Sequence, residues 1–174
     1  MTRLELVDGV WTGGLPLGDT CTPSTPRQSL RFFVPGVPAP GGSKKFVGLA
    51  KSTGRAILID AAGAKNKNWR SSVAQVAAGA MSGKPQLTAA LAVSFTFFMP
   101  RPKAHLRTNG AVKPKAPRVP VTKPDVIKLA RSTEDAMTSI VYRDDSQTVD
   151  LVVRKRYADD GPAGCEVLIE WEAA

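Results

Sequence analysis

Apolar and polar positions along the chain alternate between strand-like and helix-like patterns from about residue 30 onward. RFFV (31–34) is a short apolar run that suits a strand, and PGVPAPGGSKK, with three prolines and three glycines, stops it. AILID (56–60) suits another short strand. From Lys65 to Met81, residues Trp69, Val73, Val76, Ala77 and Ala80 recur at helical spacing in an Ala-rich segment that Gly83 and Pro85 close. LTAALAVSFTFFMP (87–100) alternates and is rich in β-branched and aromatic residues, which predicts a strand. A second helix is predicted over Asp125–Ser139. At about 100° per residue, Leu129, Ala136, Met137 and Ile140 share one side, while Lys128, Arg131, Glu134 and Asp135 share the other. Ile127 falls on that polar side, an odd place for an isoleucine. A turn at Arg143–Asp145 then leads into a strand over Thr148–Tyr157. Asp159-Asp160-Gly161-Pro162 turns the chain into an alternating last strand, CEVLIEWE (165–172), so a terminal hairpin is expected. This mixture predicts an α+β domain of two layers, with helices on one face of a mixed sheet and with Trp69 and Trp171 in the core.

Residues 1–29 are rich in Gly, Pro, Thr and Ser, with only LELV suited to a strand. They read as a partly disordered N-terminal extension, leaving 30–174 as a single domain large enough for a core without staples. No stretch approaches the roughly 20 apolar residues that cross a bilayer. The start, MTRLELVDGVWTGG, carries an early acid and no long apolar run, unlike a signal peptide. The expected address is the cytoplasm, with no membrane partner. Cys21 and Cys165 stand far apart with no CxxC and a single histidine in the chain, which excludes a zinc finger or His-rich metal site and makes both ordinary thiols.

Charge changes the picture more. A net charge of +9 points to a polyanionic partner. Its placement is sharper still: nine Lys or Arg against one acid between Met99 and Arg131, then five acids against one base between Glu134 and Asp150. A phosphodiester enzyme needs both, cations for the backbone and carboxylates for a catalytic metal ion. The segment Arg101–Lys123, broken by prolines, is expected to be an extended, mobile, cationic loop. Its Arg101, Lys103, His105, Arg107, Lys113, Lys115, Arg118 and Lys123 are candidate DNA contacts, with Lys128 just beyond. Lys44 and Lys45 are further candidates, because the Gly/Pro loop before them is either a plain turn or a cradle for phosphates. His105 reads as a solvated loop residue near phosphate rather than a catalytic base.

Two readings of the acids compete. In the bland one Asp125, placed after Pro124, caps a helix, the polar side of that helix is solvated, and Asp144-Asp145 is a turn. In the functional one, carboxylates at a helix start and on a neighbouring turn converge on Mg²⁺, with Mn²⁺ as the alternative, which polarises a phosphate and activates water.

The motifs KPD, EDAM, VYRDDSQ and the downstream RKRY resemble the core of the RusA family of Holliday junction resolvases. FFVPGVPAPGGSKK and FTFFMPRPKAH are similar to that family's strand–loop elements, so the likeness runs over most of Leu30–Glu172. The resemblance implies a metal-dependent endonuclease without a small-molecule cofactor, acting as a homodimer on branched DNA and cutting two opposed strands of a four-way junction. It implies recombination, repair or phage DNA processing as the setting. Asp125 and Asp145 match the family's catalytic, metal-holding aspartates. Arg131 stands where the family often has a catalytic lysine, and Asp135 and Asp144 match acidic positions near the metal. One departure stands out: Ile127 replaces the second aspartate of an Asp-x-Asp pair. Either another acid (Asp135, Asp144 or Glu134) completes the site, or cleavage is weak, or the protein binds junctions without cutting. Glu134, about 10 Å further along the helix, is not a simple substitute. A generic RNA- or nucleoprotein-associated role is the remaining alternative, and it has no use for acids abutting a basic loop.

Overall fold

Bulky apolar side chains at every second residue make LAVSFTFFM the centre of the sheet. The computed structural model describes residues 5–7, 10–12, 27–41, 44–60 and 63–172, with side chains for all of these except 5–7, 10–12, 44–45 and 57–60. In chain order the elements are β1 (Glu5–Val7), β2 (Val10–Thr12), β3 (Arg27–Pro35), β4 (Lys44–Leu49), β5 (Ala56–Asp60), α1 (Gly63–Ala80), β6 (Leu91–Met99), α2 (Val126–Met137), β7 (Thr148–Tyr157) and β8 (Gly164–Glu172). A four-stranded sheet runs β3-β8-β6-β7, with β6–β7 parallel and the other pairs antiparallel. β1–β2 and β4–β5 form two separate antiparallel ribbons.

Leu91, Val93, Phe95, Phe97 and Met99 of β6 are buried, while the residues between them are half-buried. Val167 and Ile169 of β8 and Leu30 and Val34 of β3 extend the same face. Onto it pack Trp69, Val73 and Ala77 of α1 and Leu129, Ala136 and Met137 of α2, in one hydrophobic cluster. A buried polar seam joins the helices: Trp69 Nε1 donates to Thr133 Oγ1 at 3.1 Å and Ser132 Oγ to Asn66 Oδ1 at 2.6 Å. The α+β, two-layer expectation holds, and Trp69 is in the core with Trp171 packed against it.

Three expectations are corrected. β7 and β8 do not form a hairpin. β6 lies between them, because two parallel neighbours need a crossover (here α2) and β8 then returns on the far side of β6. The strand expected over 87–100 begins only at Leu91. Leu87 instead bridges Tyr142, and the carbonyls of Leu87 and Ala89 accept from the Gln147 side chain. β3 begins at Arg27, so the sheet takes in residues 27–29 of the segment read as an extension. The helices end within two residues of expectation. Beyond α2, Ser139 takes a left-handed φ of 66° and its N–H donates to Tyr142 O at 2.7 Å.

Candidate active site

Asp125 stands at the N-cap position of α2 with extended backbone, yet its carboxylate makes no capping hydrogen bond. It is 56% exposed and pairs with Lys128 at 3.4 Å. Lys155, near the end of β7, holds the approach to it: its Nζ donates to Thr122 O at 2.8 Å and Pro124 O at 2.9 Å. Gly41 docks on the same first turn, its N–H donating to Lys128 O at 2.9 Å. A Cβ on Gly41 would lie 3.1 Å from Ser132 Cβ, so this close approach favours glycine.

The DDSQ turn divides its labour. The Asp144 carboxylate accepts from Ser146 N–H at 2.9 Å and caps the short 3₁₀ turn Asp145–Gln147. Those Ser146 hydrogen bonds hold its pKa below the usual carboxylate range. The Gln147 amide is fully engaged: Oε1 accepts from Arg143 and Asp144 N–H, and Nε2 donates to Leu87 O at 2.9 Å and Ala89 O at 3.1 Å. Asp145 has neither duty. Its exposed carboxylate sits among other acids and adds to the forces on Glu134, a half-buried residue of α2. Burial raises the Glu134 pKa first, the nearby Thr148 hydroxyl lowers it, and Asp145 and Asp135 raise it again. The buried Thr148 Oγ1 has no hydrogen-bond partner at bonding distance, so its pull on Glu134 is a weak one.

The other candidates separate as follows. Asp135 pairs with Arg70 at 3.7 Å. Arg131 is exposed, with no carboxylate partner among the described residues. Ile127 is 65% exposed, so it buries nothing in this fold. Among the described residues no group of three or more His, Cys, Asp and Glu side chains converges as a metal cage. Magnesium needs only one or two protein carboxylates when water and phosphate complete its shell. Asp125 and Asp145 present exposed carboxylates of the kind such an ion takes, Asp125 beside Lys128, while Asp144 is committed to its cap and Asp135 lies beside Arg70.

The basic loop is folded, not extended. Arg101 turns inward, its side chain only 7% exposed, donating to both Asp159 carboxylate oxygens and to Pro117 O and lying 3.9 Å over the Tyr157 ring. His105 is half-buried with its ring edge-on to Tyr157, which corrects its reading as a solvated residue. These two corrections share a cause, the aromatic anchor at the end of β7. Lys113 Nζ donates to Ala104 O at 2.9 Å. Lys103, Arg107, Lys115, Arg118, Lys123 and Lys128 are exposed. The side chains of Lys44 and Lys45 lie outside the described residues, as does Cys21. Cys165 is buried and burial pushes its thiol pKa far up, so it is inert as expected.

Sequence reasoning gave Lys155 no role, although it lies in the RKRY motif and is a basic residue on the inward face of an amphipathic strand. It also set Glu134 aside on helix geometry, without the fold that brings Asp145 toward it.

The family model described as endodeoxyribonuclease RusA matches residues 35–170. An uncharacterized protein of Bacillus subtilis (strain 168), YqaN, is 33% identical over 102 residues, covering 56% of this chain and 69% of its own length. With a matched model over most of its length, the chain belongs to the RusA endodeoxyribonuclease family, the nucleases that resolve Holliday junctions.

Proposed function

We propose that this protein resolves four-way DNA junctions by Mg²⁺-dependent hydrolysis of two opposed strands, as a homodimer in the cytoplasm, in recombination, repair or phage DNA processing. The observation that carries the reading is that Asp125 and Asp145 both lack a capping role, although each occupies or adjoins a cap position. Asp125 and Asp145 hold the ion, with Mn²⁺ able to replace Mg²⁺. When bound, it supplies Lewis acidity at the scissile phosphate. Arg131 offers a fixed positive charge to the phosphate as its negative charge grows, and it cannot act as a base. Lys155 keeps the Asp125 backbone in place. Lys103, Arg107, Lys115, Arg118, Lys123 and Lys128 contact phosphates and set affinity, whereas Arg101 serves the loop itself. Two-fold symmetry in the dimer matches that of the junction.

The test is a labelled four-way junction beside a matching linear duplex, each in Mg²⁺ or in EDTA. Paired nicks on the junction alone, lost in EDTA, are the expected result. Tight, salt-sensitive junction binding without nicks in Mg²⁺ or Mn²⁺ would favour the second reading, which Ile127 motivates: a junction-binding protein without cleavage.

A further inference from the structure

Beside Asp125 the surface opens into a cleft of about 1070 Å³. Its walls are the Gly36–Pro40 turn after β3, the first turns of α1 and the Lys123–Lys128 approach to α2. Its lining includes the apolar side chains of Val37, Pro38, Pro40 and Met99, of which Val37 is largely exposed, Pro40 half-buried and Pro38 and Met99 buried. The rim is cationic, with Lys65, Lys123 and Lys128. Lys65 and Lys123 have no carboxylate partner among the described residues. α1 begins at this rim with no acid in its first turn, so its positive end adds to the field of the lysines.

A lining that combines apolar and cationic side chains matches a group that is flat and apolar at one end and anionic at the other. A stacked duplex buries its base faces and offers only phosphate. An unpaired nucleotide offers both, and the branch point of a junction is where unstacking a base is least costly. We propose that the cleft receives one or two unpaired nucleotides from the branch point, with bases against the Val37–Pro38–Pro40 wall and phosphates at Lys65 and Lys123. This inference rests on the junction-cleaving reading and adds to it a physical basis for preferring branched over linear DNA: only the branch can fill the cleft while its neighbouring phosphate meets Asp125.

The experiment uses the full chain and a four-way junction carrying 2-aminopurine, which brightens when unstacked, either at the branch point or well inside one arm. Binding is followed in EDTA and cleavage in Mg²⁺. Three variants of exposed α1 residues accompany the wild type: Lys65→Glu, Asn68→Trp to narrow the cleft it lines, and Lys67→Glu as a control outside the lining. Thermal melts verify that each is folded.

The wild type is expected to brighten the branch-point label several-fold and the arm label little. Lys65→Glu and Asn68→Trp should abolish that rise and slow junction cleavage about tenfold, while Lys67→Glu changes either by less than twofold. Junction cutting without a branch-point rise would overturn the inference alone, as would equal losses in Lys65→Glu and Lys67→Glu. Failure of the wild type to cut in Mg²⁺ would overturn the junction-cleaving reading, whereas failure to brighten the branch-point label in EDTA would overturn the inference. Free 2-aminopurine deoxynucleoside monophosphate should not compete at micromolar concentration; saturable competition would mark a mononucleotide pocket and overturn the strand-receiving role.

Discussion

Asp125 and Asp145 are positioned in opposite ways. The DDSQ turn that presents Asp145 is closed by its own residues, with Asp144 capping it and Gln147 Oε1 accepting from the N–H groups of Arg143 and Asp144. Gln147 Nε2 then anchors it to the distant carbonyls of Leu87 and Ala89. The approach to Asp125 has no local scaffold. Its Thr122 and Pro124 carbonyls are gathered by one ammonium group, Lys155, about 30 residues away in sequence and on the neighbouring strand. One acid is thus set by a turn that closes on itself before it is anchored to the fold, and the other by a tertiary contact without such a local closure. Damage to the first turn should therefore appear mainly as lost stability, and damage to the second mainly as lost activity.

Several substitutions can break or sharpen that contrast, and the largest effect is expected at Gln147. Gln147→Leu leaves two backbone N–H groups and two carbonyls without their partner, and denaturant melts should show a loss of about 2–3 kcal/mol. Lys155→Met removes the ammonium but keeps the stem, so junction binding should hold while cleavage slows about tenfold, with Lys155→Arg recovering part of it. An equal loss of binding would show that Lys155 acts on DNA directly. Ile127→Asp places an acid in the first turn of α2 at an exposed position. It should leave the melting temperature unchanged or slightly raised and lower the Mg²⁺ concentration needed for half-maximal cleavage several-fold.

The smallest effect belongs to Glu134. Burial raises its pKa, so ionisation opposes folding: the protonated form is favoured at low pH, and that advantage is lost as pH rises through the folded-state value. Glu134→Gln should raise the melting temperature by about 1–2 °C at neutral pH, and the gain should shrink as pH falls into the carboxylate range.

Local patterns were legible in the sequence because their causes are local. Trp69, Val73 and Ala77 mark the buried face of α1, and the alternation of LAVSFTFFM marks the central strand. The special character of DDSQ was visible too, although its assignment of roles was not, because Asp144 and Asp145 differ only in which one meets the Ser146 N–H. What depends on strand order was hidden. No periodicity tells β8 to enter between β3 and β6, and that placement rules out the terminal hairpin. Arg101 looked like a loop cation because its anchors, Tyr157 and Asp159, arrive more than 50 residues later. Lys155 was invisible as a positioning residue for the same reason.

The most direct measurement is single-turnover cleavage of a four-way junction in Mg²⁺ by wild type, Asp125→Asn, Asp145→Asn and Asp144→Asn, with melting curves for each. The expected result is that Asp125→Asn and Asp145→Asn lose about two orders of magnitude or more in rate while keeping their stability. Asp144→Asn should keep most of its rate and, because an asparagine oxygen accepts from Ser146 N–H as an aspartate oxygen does, most of its stability. Equal rate losses at Asp144 and Asp145, or an Asp145→Asn protein that still cuts, would contradict the division of roles within the DDSQ turn.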